Sequence, residues 1–452
     1  MKNNRIWVLI TVAVCVVLAV AAAVSMVLAG KDSDDAASVD SAETTVTAVK
    51  EDYHYKAPTP EEAEAYPKAT NLPTLYINLD NGVARSKISH DIYIPGTYSL
   101  VVDDNKGIYN QPLEIKGRGN YSWSFQQKPY NLKLAEKTDL LGMGSAKKWV
   151  LVTTYSDKTL LRNFITLNLA VDMGMQYSPE AKFVDVYING KYNGLYVLTE
   201  KIQIHKNRVN IDVNTCGLFE IEVAWRHGNN CPYCIDVPSG VHITYKEGDE
   251  KDLGADKKNE LLEKFKKVFT IADKSMKQGY GTYSQYIDVP SFIDWYIINE
   301  LVKNFDSGFT TSCYCYVASD GKIYMGPIWD YDTCMGNQNS RECISPQGYH
   351  VKNSPWYTML CNDPTFARML RERWAELRSS GIFDKFLDDI YAIPEIIAPS
   401  EQMDHALYKY ALKSRDLRGD KSLFTYQEEV EYLHNWVAQR IEWLDIQWKS
   451  DN

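Results

Sequence analysis

Residues 183–201, FVDVYINGKYNGLYVLTEK, predict a β-hairpin at the centre of a strand-rich region. Two runs rich in Val, Ile, Leu and Tyr flank the dipeptide Asn189-Gly190. Asn-Gly is favoured where a two-residue hairpin turn needs a positive φ at both central positions. We therefore expect two antiparallel strands joined by this turn.

Further strands are expected before this hairpin, because short β-rich runs alternate there with turn residues. These runs are 72–79, 90–94, 111–119 and 129–134. A helix is expected next, over 157–173. Its signals are Ser156 as N-cap, Gly174 as stop, and an apolar stripe at Leu160, Phe164, Leu167 and Val171.

The second half of the chain has mainly helical patterns. Apolar residues recur at three- and four-residue spacing over 259–269, 290–305, 366–377 and 426–448. One hairpin, turning at Asp320-Gly321, is expected among these helices. We predict an α+β domain over 72–452, with a strand-rich lobe at 72–225 and a helical lobe at 226–452. The tryptophans expected in its core are Trp295, Trp374, Trp436 and Trp443.

The amino-terminal segment predicts attachment to a membrane. Residues 6–29 carry no charge, and about 20 apolar residues suffice for a membrane-spanning helix. Lys2 and Arg5 precede this segment, so the positive-inside rule makes 1–5 a cytoplasmic stub and the main domain extracytoplasmic. Its Ala-rich end leaves cleavage as a signal peptide, and hence secretion, as the alternative. Residues 30–71 are acidic and polar and predict a disordered linker.

Charge and cysteine content restrict the function classes. The formal net charge of -10 argues against general binding of nucleic acid. Eight cysteines follow the apolar segment, and an even number in an extracytoplasmic domain permits disulfides. The motif CPYC at 231–234 lacks a second C-x-x-C for a zinc site. A structural or disulfide role is therefore favoured over redox or metal chemistry.

The stretch GPIWDYDTCMGN at 326–337 contains the first candidate site residues. Asp330 and Asp332 follow an apolar run, and two nearby carboxylates repel one another. A divalent cation such as Mg²⁺ resolves this repulsion, whereas a solvated turn is the alternative. Asp306 follows the helix predicted over 290–305 and is suited to accept a proton from a hydroxyl group, although a helix-terminating Asp is also common.

Residues suited to bind phosphate lie earlier in the chain. Gly117 and Gly119 permit close backbone approach in KGRGNYSW, and Arg118 between them offers a bidentate guanidinium. Lys133 lies in an alternating strand pattern. Each of these signals is weak alone.

These ordered motifs resemble the CotH kinase family, named for a bacterial spore-coat protein. The resemblance covers roughly 73–450, and the motifs that carry it include IKGRGNYSW, KPYNLKL, VDVYINGKYNGLYVLTEKI, ELVKNFD and GPIWDYD. It implies a secreted, two-lobed, protein-kinase-like fold that binds ATP with Mg²⁺ or Mn²⁺ and phosphorylates proteins.

The resemblance also implies roles for individual residues. Asp306 would be the catalytic carboxylate, and Asp330 and Asp332 the metal ligands. Lys133 would contact the nucleotide, with Lys116, Arg118 and Arg162 as further cations, and the strand-to-hinge stretch 198–201, including Thr199 and Glu200, would meet adenine.

Two departures from the kinase pattern bear on activity. The segment 157–173 contains no Glu to pair with Lys133, a role that Glu220 or Glu222 could take. Thr311 and Ser312 stand where kinases place an Asn after the catalytic Asp.

The favoured function is an atypical protein kinase of the cell surface, anchored in the membrane by its amino-terminal helix and acting on Ser or Thr of surface or secreted proteins. The alternatives are an inactive pseudokinase or structural cell-envelope protein, and a glycan-binding module suggested by 31 Tyr and 11 Trp.

Overall fold

The computed structural model describes residues 54–226, 231–246, 253–408 and 425–449. Its strands are β1 Thr74–Leu79, β2 Ile94–Asp103, β3 Lys106–Gly117, β4 Tyr130–Thr138, β5 Ala146–Thr153, β6 Ala181–Ile188, β7 Lys191–Glu200, β8 Gly217–Glu222, β9 Cys234–Asp236, β10 His242–Lys246, β11 Cys313–Val317 and β12 Ile323–Met325. Its helices are α1 Pro60–Ala65, α2 Arg162–Asp172, α3 Gly254–Ser275, α4 Tyr280–Tyr283, α5 Val289–Val302, α6 Arg341–Ile344, α7 Pro355–Leu360, α8 Pro364–Ser379, α9 Ile382–Leu407 and α10 Tyr426–Gln447. The predicted α+β class is confirmed.

The first seven strands form a closed barrel in the order β1-β2-β3-β4-β5-β7-β6. Parallel pairing of β1 with β6 closes it, and all other pairs are antiparallel. The predicted hairpin is confirmed as β6–β7, with φ of 51° at Asn189 and 71° at Gly190. Alternate side chains such as Ile115, Leu132 and Leu198 fill the barrel interior.

The remaining strands form a second, antiparallel sheet in the order β12-β11-β8-β10-β9. One face packs on the helices, where Phe219 of β8 contacts Phe265 and Phe269 of α3. The opposite face carries polar side chains. Because β8 pairs with β10 and β11, the predicted lobe boundary at 225/226 separates strands of one sheet. The chain therefore does not divide into a strand-rich and a helical half at that point.

Several predicted elements are shifted or incomplete. Strand β2 begins at Ile94, where the strand predicted over 90–94 ends. Helix α2 begins at Arg162 because the Asp157 carboxylate accepts the Arg162 backbone N–H, so 157–161 is a loop. Ser156 consequently does not cap this helix. No helix was expected over α9, which contains Pro394 and Pro399.

The predicted core and cysteine roles agree with the structure. Trp295, Trp374 and Trp436 are buried, and Trp443 packs partly buried against the same core. The second hairpin turns at Asp320-Gly321 as expected. The motif at 231–234 forms a disulfide between its two cysteines.

Residues 54–71 belong to the folded domain, although their composition predicted linker. Helix α1 has a capping box between Thr59 and Glu62, and the Tyr66 ring packs 5.2 Å from that of Tyr76 on β1. Thr70 donates a hydrogen bond to Asp185 of β6. The apolar segment 6–29 and residues 30–53 lie outside the described residues. Within the described ranges, none of the helices combines the length and apolarity required to cross a bilayer.

Helix α9 attaches to the barrel through a buried polar contact. The Asp404 carboxylate accepts hydrogen bonds from the Leu195 backbone N–H at 2.8 Å and the Gln127 amide at 3.2 Å. Gln127 also accepts a hydrogen bond from Thr153 of β5. Gly194, with φ of 115°, lets these side chains approach the backbone of β7. A side chain there would overlap the Gln127 amide and place Cβ 2.6 Å from Asp404.

The variant Gly194→Ala tests this contact. We expect it to reduce the free energy of unfolding by about 2–4 kcal/mol, because overpacking adds to the strain of a positive φ. Gly190→Ala is the matched control, since Gly190 also has a positive φ but has no atom within 4 Å of the added Cβ. Urea denaturation measures both. Equal losses in the two variants would contradict the close-packing argument.

The Asp404 carboxyl also makes stability depend on pH. Burial raises the pKa of Asp404 to about 7, against the hydrogen bond from Leu195. The folded state therefore holds a proton that the unfolded state releases near pH 4. Its stabilising contribution is complete below about pH 4 and is lost as the pH rises through about 7, with a slope of up to about 1.4 kcal/mol per pH unit.

Asp404→Asn should remove this contribution and reduce the slope of unfolding free energy against pH between pH 5 and 7 by up to about 1.4 kcal/mol per pH unit. Asp388→Asn, an exposed position of the same helix, is the control. Urea titrations at several pH values measure the slope. An unchanged slope in Asp404→Asn would exclude Asp404 as its source.

Candidate functional site

A cavity of about 480 Å³ brings together the carboxylates predicted to carry the chemistry. Asp306, Asp330 and Asp332 all line it. Its walls come from three parts of the chain: the β3–β4 loop, the polar face of the second sheet, and the loops that follow α5 and β12. The volume lies within the range of small-molecule sites.

Asn304 connects the Asp306 turn to the Asp330 loop. Helix α5 ends at Val302, and the next residue, Lys303, has a φ of 45° that reverses the chain. The Asn304 side chain then accepts the Asp306 backbone N–H and donates to the Asp330 carbonyl at 3.1 Å. One buried amide thus fixes the separation of two chain segments that carry carboxylates.

The loop around Asp332 is held by side chains from α2 and its preceding loop. Arg162 is fully buried, pairs with Asp157, and donates to the carbonyls of Cys334 and Met335. The Ser156 hydroxyl donates to the Asp332 carboxylate at 2.6 Å. Arg162 therefore positions the site loop and has its guanidinium engaged by protein groups.

The floor of the cavity is a network of charges on the second sheet. Lys246 of β10 bridges Glu220 and Glu222 of β8, at 2.6 and 3.1 Å. Arg226 lies 3.7 Å from Glu222 and donates to the Thr311 hydroxyl. Glu220 and Glu222 are both buried, so Lys246 compensates charges that would otherwise be costly. Glu220 or Glu222 was expected to take the place of the kinase glutamate that pairs with Lys133. In the structure both glutamates pair with Lys246 instead.

The β3–β4 loop covers another side of the cavity. The Arg118 guanidinium lies 5.0 Å from the centre of the Trp329 ring, which directly precedes Asp330. Tyr121 of the same loop is 68% exposed at the cavity. The loop is anchored by His90, which hydrogen-bonds the Gly119 carbonyl at 2.8 Å.

Burial and mutual repulsion raise the pKa values of two of the three carboxyls. Burial, followed by the charges of Asp330 and Asp332, raises the pKa of Asp306 to about 8, and Arg226 opposes this rise. Burial and Asp330 raise the pKa of Asp332 to about 7, against the hydrogen bond from Ser156. Asp306 and Asp332 therefore hold their protons more tightly than ordinary carboxyls, and a nearby cation would favour their ionised forms.

The donor set suits a divalent cation together with a phosphate. Carboxylate oxygens are the ligands that Mg²⁺ prefers, and it commonly takes one or two of them plus water and phosphate oxygens. In the described part of the chain, no three Asp, Glu, His or Cys side chains form a complete metal cluster. The buried Thr333 hydroxyl oxygen also belongs to a residue that lines the cavity, and it has no hydrogen-bond partner in the part of the chain that the structure describes. Asp330 and Asp332 could therefore hold a cation whose coordination a bound phosphate completes.

Backbone conformations around the cavity are unusual. The non-glycine residues with positive φ in this region are Lys303, Phe309, Ser312, Asp330 and Met335. Such conformations cost free energy and concentrate at functional sites. Ser312, in the position where an Asn was expected, donates to the Asp330 carboxylate at 3.1 Å.

Two predicted phosphate contacts lie outside this cavity. Lys133 is on the outer face of the barrel, where it pairs with Glu114 at 2.6 Å. Lys116 is beside it, 5.0 Å from the Tyr93 ring. Their strands alternate between interior and exterior, and the neighbouring Leu132 and Ile115 occupy the interior positions.

The predicted adenine contacts also lie elsewhere. The Thr199 hydroxyl donates to the Glu180 carbonyl, and Glu200 forms an ion pair with Arg208. Glu200 and Arg208 line a separate cavity of about 360 Å³. Among the described residues, the cations that line the carboxylate cavity are Arg118, Arg226 and Lys246, of which only Arg118 was predicted. The available signal for Lys246 was the alternating strand pattern HITYK, which is unspecific.

Comparisons with known proteins identify the family of this chain. The family model described as CotH kinase protein matches residues 115–444, which include all the cavity residues named above. The inner spore coat protein H of Bacillus subtilis (strain 168) is 21% identical over 338 residues, covering 74% of this chain and 86% of that protein. The family match extends over more than half of the chain. The protein therefore belongs to the CotH kinase protein family.

Proposed function

We propose that the protein is an extracytoplasmic atypical protein kinase that transfers the γ-phosphate of ATP to Ser or Thr hydroxyls of surface or secreted proteins. The observation that carries this proposal is the convergence of Asp306, Asp330 and Asp332 with three cationic side chains on one cavity. Phosphoryl transfer depends mainly on positioning and on electrostatic stabilisation, which require both signs of charge.

Asp306 is the proposed acceptor of the hydroxyl proton. In transfer, the bond from the γ-phosphorus to its bridging oxygen breaks, a bond to the acceptor oxygen forms, and the proton passes to the Asp306 carboxylate. Because the pKa of Asp306 is about 8 in the ligand-free protein, this role requires added positive charge nearby. A divalent cation held by Asp330 and Asp332 would supply that charge and would neutralise the phosphates.

Arg118 and Lys246 are the proposed phosphate-binding cations. Lys246 lies between Glu220 and Glu222, an arrangement that corresponds in chemistry to the lysine–glutamate pair of kinases. Although burial acts to lower the pKa of Lys246, the two glutamates raise it and keep the side chain charged. This assignment replaces Lys133, which is paired with Glu114 on the barrel exterior.

The direct test uses the purified full chain with γ-labelled ATP, Mg²⁺ or Mn²⁺ and a panel of Ser- and Thr-containing proteins. We expect labelling that falls about 100-fold or more in Asp306→Asn and in Asp330→Asn, since general-base and metal contacts each contribute at least this factor. Mass spectrometry locates the phosphorylated residues.

Thermal unfolding provides the control for folding and separates the alternatives. Stabilisation by Mg-ATP without transfer would indicate a nucleotide-binding pseudokinase. Neither stabilisation nor transfer would contradict the proposal.

A second prediction distinguishes the two lysines. Lys246→Met should reduce transfer about 100-fold, because it removes a cation that contacts the phosphates, and Lys246→Arg should retain more activity. Lys133→Met is the matched comparison and should remain close to wild type, because its side chain lies outside the cavity. The melting temperature of each variant controls for the loss of stability when the buried charges of Glu220 and Glu222 are left without Lys246. Greater loss in Lys133→Met than in Lys246→Met would restore the sequence-based assignment.

A further inference from the structure

The chain that follows Asp332 forms a long irregular segment beside the carboxylate cavity. Residues 333–353 contain the short helix α6 and one 3-10 turn at Val351–Asn353, and the rest of this segment is loop. Loops of this length in compact domains are commonly functional. The backbone of the 333–353 segment is bonded mainly by side chains of the surrounding helices, and these side chains include buried charges.

Lys303 is the first of three buried charges that bind this segment. Its ammonium group donates to three backbone carbonyls, those of Glu342 at 2.6 Å, Ser345 at 3.1 Å and Gln347 at 2.8 Å. Burial and the charge of Arg440 lower the pKa of Lys303 to about 8, so the ammonium form still predominates at neutral pH. An ammonium group has three N–H donors, and the segment accepts all of them.

Arg440 and Glu300 are the other two buried charges. Arg440 of α10 donates to the carbonyls of Pro346 and Gly348, at 2.8 and 2.7 Å. It also pairs with Glu300 of α5 at 2.7 Å, and the Glu300 carboxylate accepts the His350 backbone N–H at 2.7 Å. Buried charges are costly unless they are paired and hydrogen-bonded. Because their partners here are backbone groups of one irregular segment, they specify where that segment lies.

The same segment is connected to the turn that carries Asp306. His350 hydrogen-bonds the Phe305 carbonyl at 3.2 Å, and its ring stacks on the Phe305 ring. Lys303 directly precedes Asn304, whose side chain accepts the Asp306 backbone N–H. The segment is therefore joined to the Asp306 turn at two points, through Lys303 and through His350.

We propose that the 333–353 segment positions Asp306 for proton transfer and is held in place by buried charges of the protein itself, without a phosphorylated residue. This inference rests on the proposed kinase function. In many protein kinases the segment that follows the metal-binding Asp becomes ordered when arginine pairs with a phosphorylated residue in it. Here backbone groups of the segment occupy the buried charges. The positioning residues are Glu300, Lys303, His350 and Arg440.

Hydrogen exchange of the purified full chain, followed by mass spectrometry, tests this arrangement independently of activity. In the ligand-free wild type we expect peptides from 340–353 to exchange slowly, with rates that phosphatase treatment changes by less than about twofold. Lys303→Met and His350→Ala should each raise exchange about tenfold over 303–312, the Asp306 turn, because each removes a contact that restrains it. Lys303→Arg should raise it less.

Gln347→Ala is the matched control, because this exposed side chain belongs to the same segment. It should leave exchange unchanged over both 303–312 and 340–353. His350→Ala removes none of the three buried charges, so it keeps the test available if the melting temperature shows that Lys303→Met does not fold.

Transfer kinetics test the consequence for the reaction. Lys303→Met and His350→Ala should lower kcat about tenfold or more, since a misplaced proton acceptor slows the chemical step. The KM for Mg-ATP should stay within about twofold, because neither side chain lines the carboxylate cavity. A general loss of structure would change both constants.

Rapid exchange over 340–353 in the ligand-free wild type, or loss of its protection after phosphatase treatment, would overturn the proposal. An unchanged kcat in the folded variants would also overturn it. Absence of transfer by the wild type would instead contradict the kinase function. Exchange over 303–312 then decides the present inference, since an increase in the folded variants supports it and no change overturns it.

Discussion

The repulsion among Asp306, Asp330 and Asp332 in a partly buried cavity is the constraint around which the surrounding structure is organised. Carboxylates left to relax would separate or move towards water. Here the Asn304 amide fixes the Asp306 turn to the Asp330 backbone, and Arg162 holds the carbonyls that follow Asp332. The loops consequently hold three carboxyl groups close together, an arrangement expected of a preorganised site for cations and phosphate.

The second sheet supplies the opposing charges. Because β8 pairs with both β10 and β11, side chains from distant parts of the chain share one polar face, including Glu220, Lys246 and Tyr314. The other face packs on α3, where Phe219 contacts Phe265 and Phe269, so the polar face is left to form the cavity floor. The same pairing joins a strand before residue 225 to strands that lie among the helices. The predicted lobe boundary at 225/226 therefore does not coincide with a boundary between sheets.

Features encoded by a few adjacent residues could be predicted reliably. The turn at Asn189-Gly190, the turn at Asp320-Gly321 and the helical stripes of α3, α5, α8 and α10 all depend on local backbone preference and periodicity. The grouping of Asp306 with Asp330 and Asp332 in one cavity also followed from motif order. Ser156 shows the limit, since a serine before a helical pattern is an ordinary N-cap, yet its hydroxyl donates to Asp332.

The sequence by itself determined the α+β class, the central hairpin and the family, because each depends on residues close together in the chain or on several motifs in order. It also supplied the three carboxylates as candidates, and the structure places them at one cavity. Only the tertiary structure decided that the first strands close into a barrel and which cations meet the carboxylates. The alternation of apolar and polar residues predicts a strand but does not indicate which other strand pairs with it. Lys133 and Lys246 both lie in alternating strands, and only the pairing of β10 with β8 brings Lys246 to the cavity, whereas Lys133 is on the barrel exterior.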